Sequence, residues 1–232
     1  MKIKTTEYNQ PPLQTEPSND REIGLAVNTE PRCFCVIAAD CSGSMDGSPI
    51  IAVKDGLQTL KENLVADALA CLRVELALIT FNNTVKAAVD FCSPENFDPP
   101  RLNATGGTRL GAAILKGLEM INARRAECDA AGVPCYRPWL IVMTDGKPTD
   151  DISEAARRVK EAESKKHIAY FGIGVQEADM DALGAISTRA PLHLEGLKFT
   201  ELFEWLSVNL GSVSGSTVGD QVPLTPPTWA SV

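Results

Sequence analysis

The chain has 232 residues, a net charge of −8 and 44% apolar residues, which is the composition of an ordinary globular protein with one sizeable domain. Lys and Arg are not clustered, which argues against a nucleic-acid-binding surface. No apolar stretch approaches the roughly 20 residues that span a bilayer. The N-terminus lacks the apolar segment of a signal peptide, so we expect a cytoplasmic protein.

The first predicted elements follow a polar N-terminal arm, residues 1–30. The segment FCVIAA (34–39) has the continuous apolar pattern of a strand buried on both faces. A helix is predicted next, with Ser48 as its N-cap and Pro49 at its first helical position.

Strands and helices continue to alternate along the rest of the chain. The later predicted elements are a hairpin of strands 73–81 and 84–91, a helix over 108–131, a strand over 139–144, a helix over 151–165, a strand over 168–175, a short helix near 179–187, a weak strand at 191–195 and a helix near 199–210. Apolar strands that alternate with helices predict an α/β fold, in which a mostly parallel sheet is covered on both faces. The predicted domain covers residues 31–210, and residues 211–232 are expected to be a Gly/Ser- and Pro-rich tail without fixed structure.

Three clusters of small, oxygen-bearing side chains stand at the ends of predicted elements. The first, DCSGSM (40–45), follows the first buried strand; the second, TDGKPTDD (144–151), follows another; and the third, NATGGTRLG (103–111), opens the long helix. Ligands of open parallel sheets bind beyond the carboxyl ends of the strands. We therefore expect the three clusters to meet at one edge of the sheet.

The side chains of these clusters predict a site for a divalent metal ion. The proposed ligands are two carboxylates and three hydroxyls, from Asp40, Ser42, Ser44, Thr108 and Asp145. These hard oxygen ligands suit Mg²⁺, Mn²⁺ or Ca²⁺ rather than zinc or copper. Two carboxylates neutralise a divalent ion and three hydroxyls add no charge, so the metal could still attract one further anion, such as a carboxylate of another protein.

Simpler structural roles are open for each of these residues. Asp40 and the two serines could close a turn or cap the following helix. Asp145 with Gly146 could form an ordinary turn at the end of a strand. Thr108 is predicted as the N-cap of its helix, a role that is compatible with metal ligation. Three further acidic residues, Asp46, Asp150 and Asp151, lie in or directly after the same segments. We do not assign them as ligands, because their position in a solvated loop explains them equally well.

The chain lacks the motifs of the enzyme classes that use a similar strand end. Phosphatases with an aspartate nucleophile carry an Asp-x-Asp motif at such a strand end, but here Ser42 stands in place of the second aspartate. No Walker A loop, dinucleotide-binding glycine motif or Gly-x-Ser-x-Gly elbow occurs. An open metal position could in principle activate water, so a metal-dependent phosphohydrolase is kept as an alternative.

The segments DCSGSM, GGT and MTDGKPTDD resemble the metal-ion-dependent adhesion site (MIDAS) of the von Willebrand factor A (VWA) domain, over about residues 30–210. The resemblance implies a three-layer, Rossmann-like fold, whose six-stranded, mostly parallel sheet has one antiparallel edge strand and helices on both faces. It also implies a metal held by Asp40, Ser42, Ser44, Thr108 and Asp145, partly through water.

Within the VWA superfamily, the sequence is most similar to the bacterial TerY-like proteins, which are associated with tellurium-resistance and stress-response gene clusters. The segments EPRCFCVIAADCSGSM, CYRPWLIVMTDGKPTDD and LFEWLSVNLGSVS carry this likeness. The resemblance implies a non-enzymatic adaptor that binds an acidic residue of a partner, with a protein kinase and a type 2C protein phosphatase as candidate partners. A subunit role beside an ATPase of the chelatase type is the other alternative.

Overall fold

In the described part of the chain, seven strands form one sheet in the order β3-β2-β1-β4-β5-β6-β7. The computed structural model describes residues 28–231, so the predicted arm lies outside the described residues except for its last three. The strands are β1 (Cys33–Asp40), β2 (Val74–Phe81), β3 (Val85–Cys92), β4 (Trp139–Thr144), β5 (Ala169–Val175), β6 (Leu192–Leu194) and β7 (Ala230–Ser231). The helices are α1 (Ser48–Ala66), α2 (Ala68–Arg73), α3 (Leu110–Ala131), α4 (Ser153–Ser164), α5 (Met180–Ile186) and α6 (Phe199–Ser214).

The sheet is parallel except at its two edges. β2, β1, β4, β5 and β6 run in the same direction. β3 is antiparallel to β2, which confirms the predicted six-stranded sheet with one antiparallel edge strand. The two-residue β7 adds a seventh strand, antiparallel to β6, at the other edge. The carboxyl ends of all the parallel strands therefore lie at the same end of the sheet.

Helices cover both faces of the sheet, as the all-apolar strands predict. Cys35, Ile37 and Ala39 of β1 point to the face covered by α1 and α6, whereas Val36 and Ala38 point to the face covered by α3, α4 and α5. This alternation follows from the two-residue repeat of a strand. Because both faces are buried, the long central strands have few places for polar side chains other than their ends.

The predicted helix starts differ in detail from the structure. Ser48 is already the first residue of α1, and Gly47, with φ of +82°, occupies the N-cap position that the sequence assigned to Ser48. The end of α3 is as expected, since Gly132 adopts the left-handed conformation with φ of +70°.

The C-terminal tail was expected to lack fixed structure, and this expectation is wrong for the described residues. α6 continues to Ser214, beyond the predicted end of the domain at residue 210. The chain then packs along the domain, and Trp229 is 1% exposed, with its ring 5.7 Å from that of Trp205. A buried tryptophan removes much apolar surface from water, which offsets the entropy cost of ordering a Pro-rich segment.

Candidate metal centre

Three loops meet at the carboxyl ends of β1 and β4. The loop after β1 donates from the Gly43 amide to the Gly106 carbonyl at 2.9 Å, and its Cys41 carbonyl accepts from the Thr105 amide at 2.8 Å. The loop after β4 donates from the Thr149 amide to the Thr108 carbonyl at 2.8 Å. The structure therefore brings the three polar clusters together, as the sequence predicts.

Asp40 lies at the centre of this meeting point and is 0% exposed. Its Oδ1 accepts a hydrogen bond from the Ser42 amide at 2.7 Å, and its Oδ2 accepts one from the Thr144 hydroxyl at 2.5 Å. Burial raises the pKa of Asp40 to about 6, against these hydrogen bonds, which lower it, while the nearby Asp145 raises it further. A nearby cation would stabilise this buried negative charge.

The two serines connect Asp40 to the second carboxylate. The Ser42 and Ser44 hydroxyl oxygens are 3.1 Å apart, and the Ser44 hydroxyl donates to Asp145 Oδ1 at 2.7 Å. Ser42 and Asp145 are buried, whereas Ser44 is exposed. The cluster therefore opens to solvent on the side of Ser44.

Thr108 joins the same cluster through its contact with Gly146. A Cβ atom at Gly146 would lie 2.9 Å from the Thr108 hydroxyl oxygen and 3.8 Å from that of Ser44. A side chain at position 146 would collide with the Thr108 hydroxyl, so glycine is what allows the turn after Asp145 to pass this close to Thr108. The structure thus brings together all five residues that the sequence proposed.

Thr108 is not the N-cap of its helix, contrary to the sequence prediction. Arg109 occupies that position, and the Asp150 carboxylate accepts hydrogen bonds from the Gly111 and Ala112 amides, at 3.0 and 2.9 Å. Asp150 therefore satisfies two free N–H groups of the first turn of α3. Its position leaves the Thr108 hydroxyl available to the cluster.

Residues that the sequence analysis did not assign to the site hold its ligands and loops in place through hydrogen bonds. Thr144 holds Asp40, as described above. Thr149 accepts a hydrogen bond from the Thr108 amide at 3.1 Å, and Asn83 accepts one from the Gly107 amide at 2.8 Å. A polar residue at the end of an otherwise apolar strand was the available signal for Thr144. Nothing local indicated Asp150 or Asn83, because their partners are distant in sequence.

The donor set fits a hard divalent cation. Within residues 28–231, no basic side chain forms an ion pair with Asp40 or Asp145, so their negative charges are not neutralised by protein groups. The same part of the chain has no group of three or more His, Cys, Asp or Glu that could hold a metal. The chemistry of the cluster is therefore that of two carboxylates with three hydroxyls, a set suited to Mg²⁺, Mn²⁺ or Ca²⁺.

The fold and the polar cluster define a Rossmann-like α/β domain with a loop-built site at the carboxyl edge of its sheet. The sequence matches the von Willebrand factor type A domain over residues 35–200, and the chain belongs to this family. Domains of this family commonly mediate protein–protein interaction and adhesion, generally without enzymatic activity.

Solved structures share the fold at low sequence identity. The pilus adhesin SpaC from Lactobacillus rhamnosus GG is 16% identical, with a TM-score of 0.62 over 78% of this chain and 31% of the adhesin. Proximal thread matrix protein 1 from the mussel byssus is 16% identical, with a TM-score of 0.54 over 78% of this chain and 48% of that protein. The VWA domain of SpRpn10 is 14% identical, with a TM-score of 0.52 over 74% of this chain and 95% of that domain.

The chain spans about a third of the length of the adhesin and about half of the mussel protein. A search of curated protein sequences found no significant match. None of the helices in the described part of the chain has the length and apolar character needed to cross a membrane.

Proposed function

We propose that this chain is a protein-binding adaptor that uses a metal-ion-dependent adhesion site to bind an acidic side chain of a partner. The observation that supports the proposal best is the cluster of two buried carboxylates and three hydroxyls without a basic partner among the described residues. Family membership supports the same conclusion, because protein binding is the common role of VWA domains.

Asp40, Ser42, Ser44, Thr108 and Asp145 would hold Mg²⁺, or Mn²⁺ or Ca²⁺ in its place. The bound ion would supply a positive centre for a carboxylate from outside the chain. Asp40 and Asp145 balance the two charges of the ion, and the hydroxyls leave that balance unchanged. The exposed Ser44 marks the side from which a partner would approach.

The proposed role is binding rather than catalysis. Both carboxylates of the cluster are assigned to the metal, so neither is free to act as a general base. The Thr144 hydroxyl is also engaged, because it donates to Asp40. A phosphohydrolase would need a further acid or base, and the proposed cluster contains no His, Asp or Glu besides Asp40 and Asp145.

We further propose that the adaptor works in a bacterial tellurium-resistance or stress-response system in the cytoplasm. The support is the likeness of residues 30–45, 135–151 and 202–214 to TerY-like proteins. A protein kinase and a type 2C protein phosphatase are the proposed partners, and one of them would supply the Asp or Glu that completes the coordination of the metal.

Calorimetric titration of Mg²⁺ and Mn²⁺ into the full chain tests the metal site. We expect Asp40→Asn to abolish binding, because it removes one of the two charges that hold the ion. The variant should fold, since Asn retains an acceptor for the Ser42 amide and burial already disfavours the charged form of Asp40. Asp46→Asn is the control, because Asp46 is an exposed acidic residue of the same loop. Unchanged metal affinity in Asp40→Asn would contradict the assignment of the site.

A pull-down from native lysate tests the adaptor role. The tagged chain is used with Mg²⁺, with EDTA, and as Asp40→Asn with Mg²⁺. A partner lost in the last two conditions is expected, and mass spectrometry then tells a kinase and phosphatase from a ring ATPase. Partners retained in all three conditions would place the interaction elsewhere and leave the metal with a structural role only.

A further inference from the structure

A cavity of about 740 Å³ lies at the amino end of the sheet, opposite to the metal centre. Trp139 and Ala169, the first residues of β4 and β5, form part of its lining. Another part is residues 218–222 and Leu224 of the C-terminal tail. Its volume lies within the range of small-molecule sites, which is roughly 300–1,000 Å³.

Four cationic side chains line this cavity, although the chain as a whole has a net charge of −8. They are Arg125, Arg137, Lys166 and Arg189. None of them forms an ion pair with another described residue. The one carboxylate in the lining, Asp220, accepts a hydrogen bond from the Thr217 amide at 3.1 Å. The lining therefore has more positive than negative charge, with Asp220 as its one carboxylate and Glu163 close enough to act on Arg137.

Two of the arginines are held in place close to each other. Arg137 is half-buried, and its Nε donates to the Ile168 carbonyl, which leaves its terminal N–H groups without a partner among the described residues. Arg189 lies over the Phe171 ring, with its Cζ 4.7 Å from the ring centre. Burial and the positive charge of Arg189 lower the pKa of Arg137, although the negative charge of Glu163 acts in the opposite direction. A bound anion would stabilise the charged forms of both arginines.

Most of the rest of the lining is apolar, and this apolar surface determines what else the ligand must carry. Val213, Val218, Val222 and Leu224 face the cavity from α6 and the tail. An inorganic anion would occupy only the cationic part and leave this surface in contact with water. A ligand with both an anionic group and an apolar body matches the whole lining.

We propose that this cavity binds a small organic phosphate monoester. Its phosphoryl group would lie at Arg137, Arg189 and Lys166, and its apolar body against the valines and Leu224. Guanidinium groups present parallel donors that match phosphate oxygens, and three cations suit a dianion better than a single carboxylate. The site lies at the end of the sheet opposite to the proposed metal centre and does not depend on it.

The test uses calorimetric titration of the full chain with phenyl phosphate, adenosine monophosphate and inorganic phosphate. We expect saturable binding of one of the two organic phosphates at one molecule per chain, with inorganic phosphate weaker. The two organic probes distinguish a single-ring body from a nucleotide. No binding of either organic phosphate, or binding no tighter than that of inorganic phosphate, would overturn the proposal.

Variants locate the binding on the cavity. Arg189→Gln and Arg137→Gln should each weaken the bound probe about tenfold or more, because each removes a charged hydrogen-bond donor. Arg189 is exposed, so its variant should fold even if Arg137→Gln does not. Arg101→Gln, which removes an exposed arginine outside this cavity, is the control and should leave affinity unchanged. Equal affinity in Arg189→Gln and the wild type would contradict the proposed site.

Discussion

The carboxyl and amino ends of the sheet carry opposite charges and are constructed from different parts of the chain. The carboxyl end has Asp40 and Asp145, which directly follow or end strands that the sequence makes recognisable. The amino end has Arg137 and Arg189, together with a wall of the C-terminal tail. The residues of the carboxyl end are placed by the points at which the strands end. The residues of the amino end are placed by packing between segments that are distant in sequence.

The contacts that hold each end differ in the same way. Backbone hydrogen bonds join the loops of the carboxyl end, such as the bond from the Gly43 amide to the Gly106 carbonyl. At the amino end, side chains hold the tail: Trp205 Nε1 donates to the Thr225 carbonyl at 2.7 Å, and Asn209 exchanges hydrogen bonds with Thr225. Loss of one buried side chain that packs the tail should therefore cost more stability than loss of one side chain in the loops of the carboxyl end.

Replacement of Trp229 by Ala should have the largest effect. Trp229 is 1% exposed, and its loss removes packing against Trp205, so we expect the free energy of unfolding to fall by about 3–5 kcal/mol. Chemical denaturation of the full chain measures this. Mg²⁺ affinity should not change under conditions where the variant is folded. Binding of the organic phosphate should weaken, because the C-terminal tail lines part of its cavity.

Trp229→Phe is the matched control for this prediction. Trp229 Nε1 is buried without a hydrogen-bond partner among the described residues, so Phe keeps the ring packing and removes an unsatisfied donor. Its destabilisation should be much smaller than that of Ala. If Trp229→Ala cost less than about 1 kcal/mol, the tail would not be an integral part of the domain.

The fold, and the meeting of the five proposed ligands at one end of the sheet, were predictable because their signals are local. Apolar runs such as residues 34–39 and 139–144 give the buried strands, and the residue after a run marks the edge of the sheet. Parallel strands then place Asp40 and Asp145 at the same edge without further information.

The tail and the helix caps were not predictable from local patterns. The Gly, Ser and Pro content of residues 211–232 indicates a linker, and a single tryptophan at position 229 changes the outcome through contacts with α6. The start of α3 is capped by Asp150, which is 39 residues from Gly111 and 38 from Ala112. Composition and spacing carry no record of such pairings, so Thr108 was given a role that another residue fills.

Thr144→Val sharpens the comparison at the carboxyl end. The Thr144 hydroxyl donates to Asp40 Oδ2, and groups that orient a metal ligand typically contribute 10–100-fold to metal affinity. We therefore expect Mg²⁺ affinity to fall by roughly 10–100-fold, as measured by calorimetry, with the organic phosphate unaffected. Thr144→Ser retains the hydroxyl and should restore most of the affinity. Equal loss in the Ser and Val variants would indicate a packing effect rather than the hydrogen bond.

Of the substitutions at Trp229, Thr144 and Asp150, Asp150→Ala should have the smallest effect. It tests whether Asp150 only stabilises the loop or also binds the metal. The carboxylate caps the first turn of α3, and loss of such a cap costs about 0.5–2 kcal/mol of stability. Denaturation should detect this loss, whereas Mg²⁺ affinity should change far less than in Asp40→Asn. Asp46→Ala, at an exposed residue of the loop after β1, is the control for removing one negative charge from the same rim. If Asp150→Ala abolished metal binding as Asp40→Asn is expected to, Asp150 would itself be a ligand, and the assignment of two carboxylates and three hydroxyls would have to be revised.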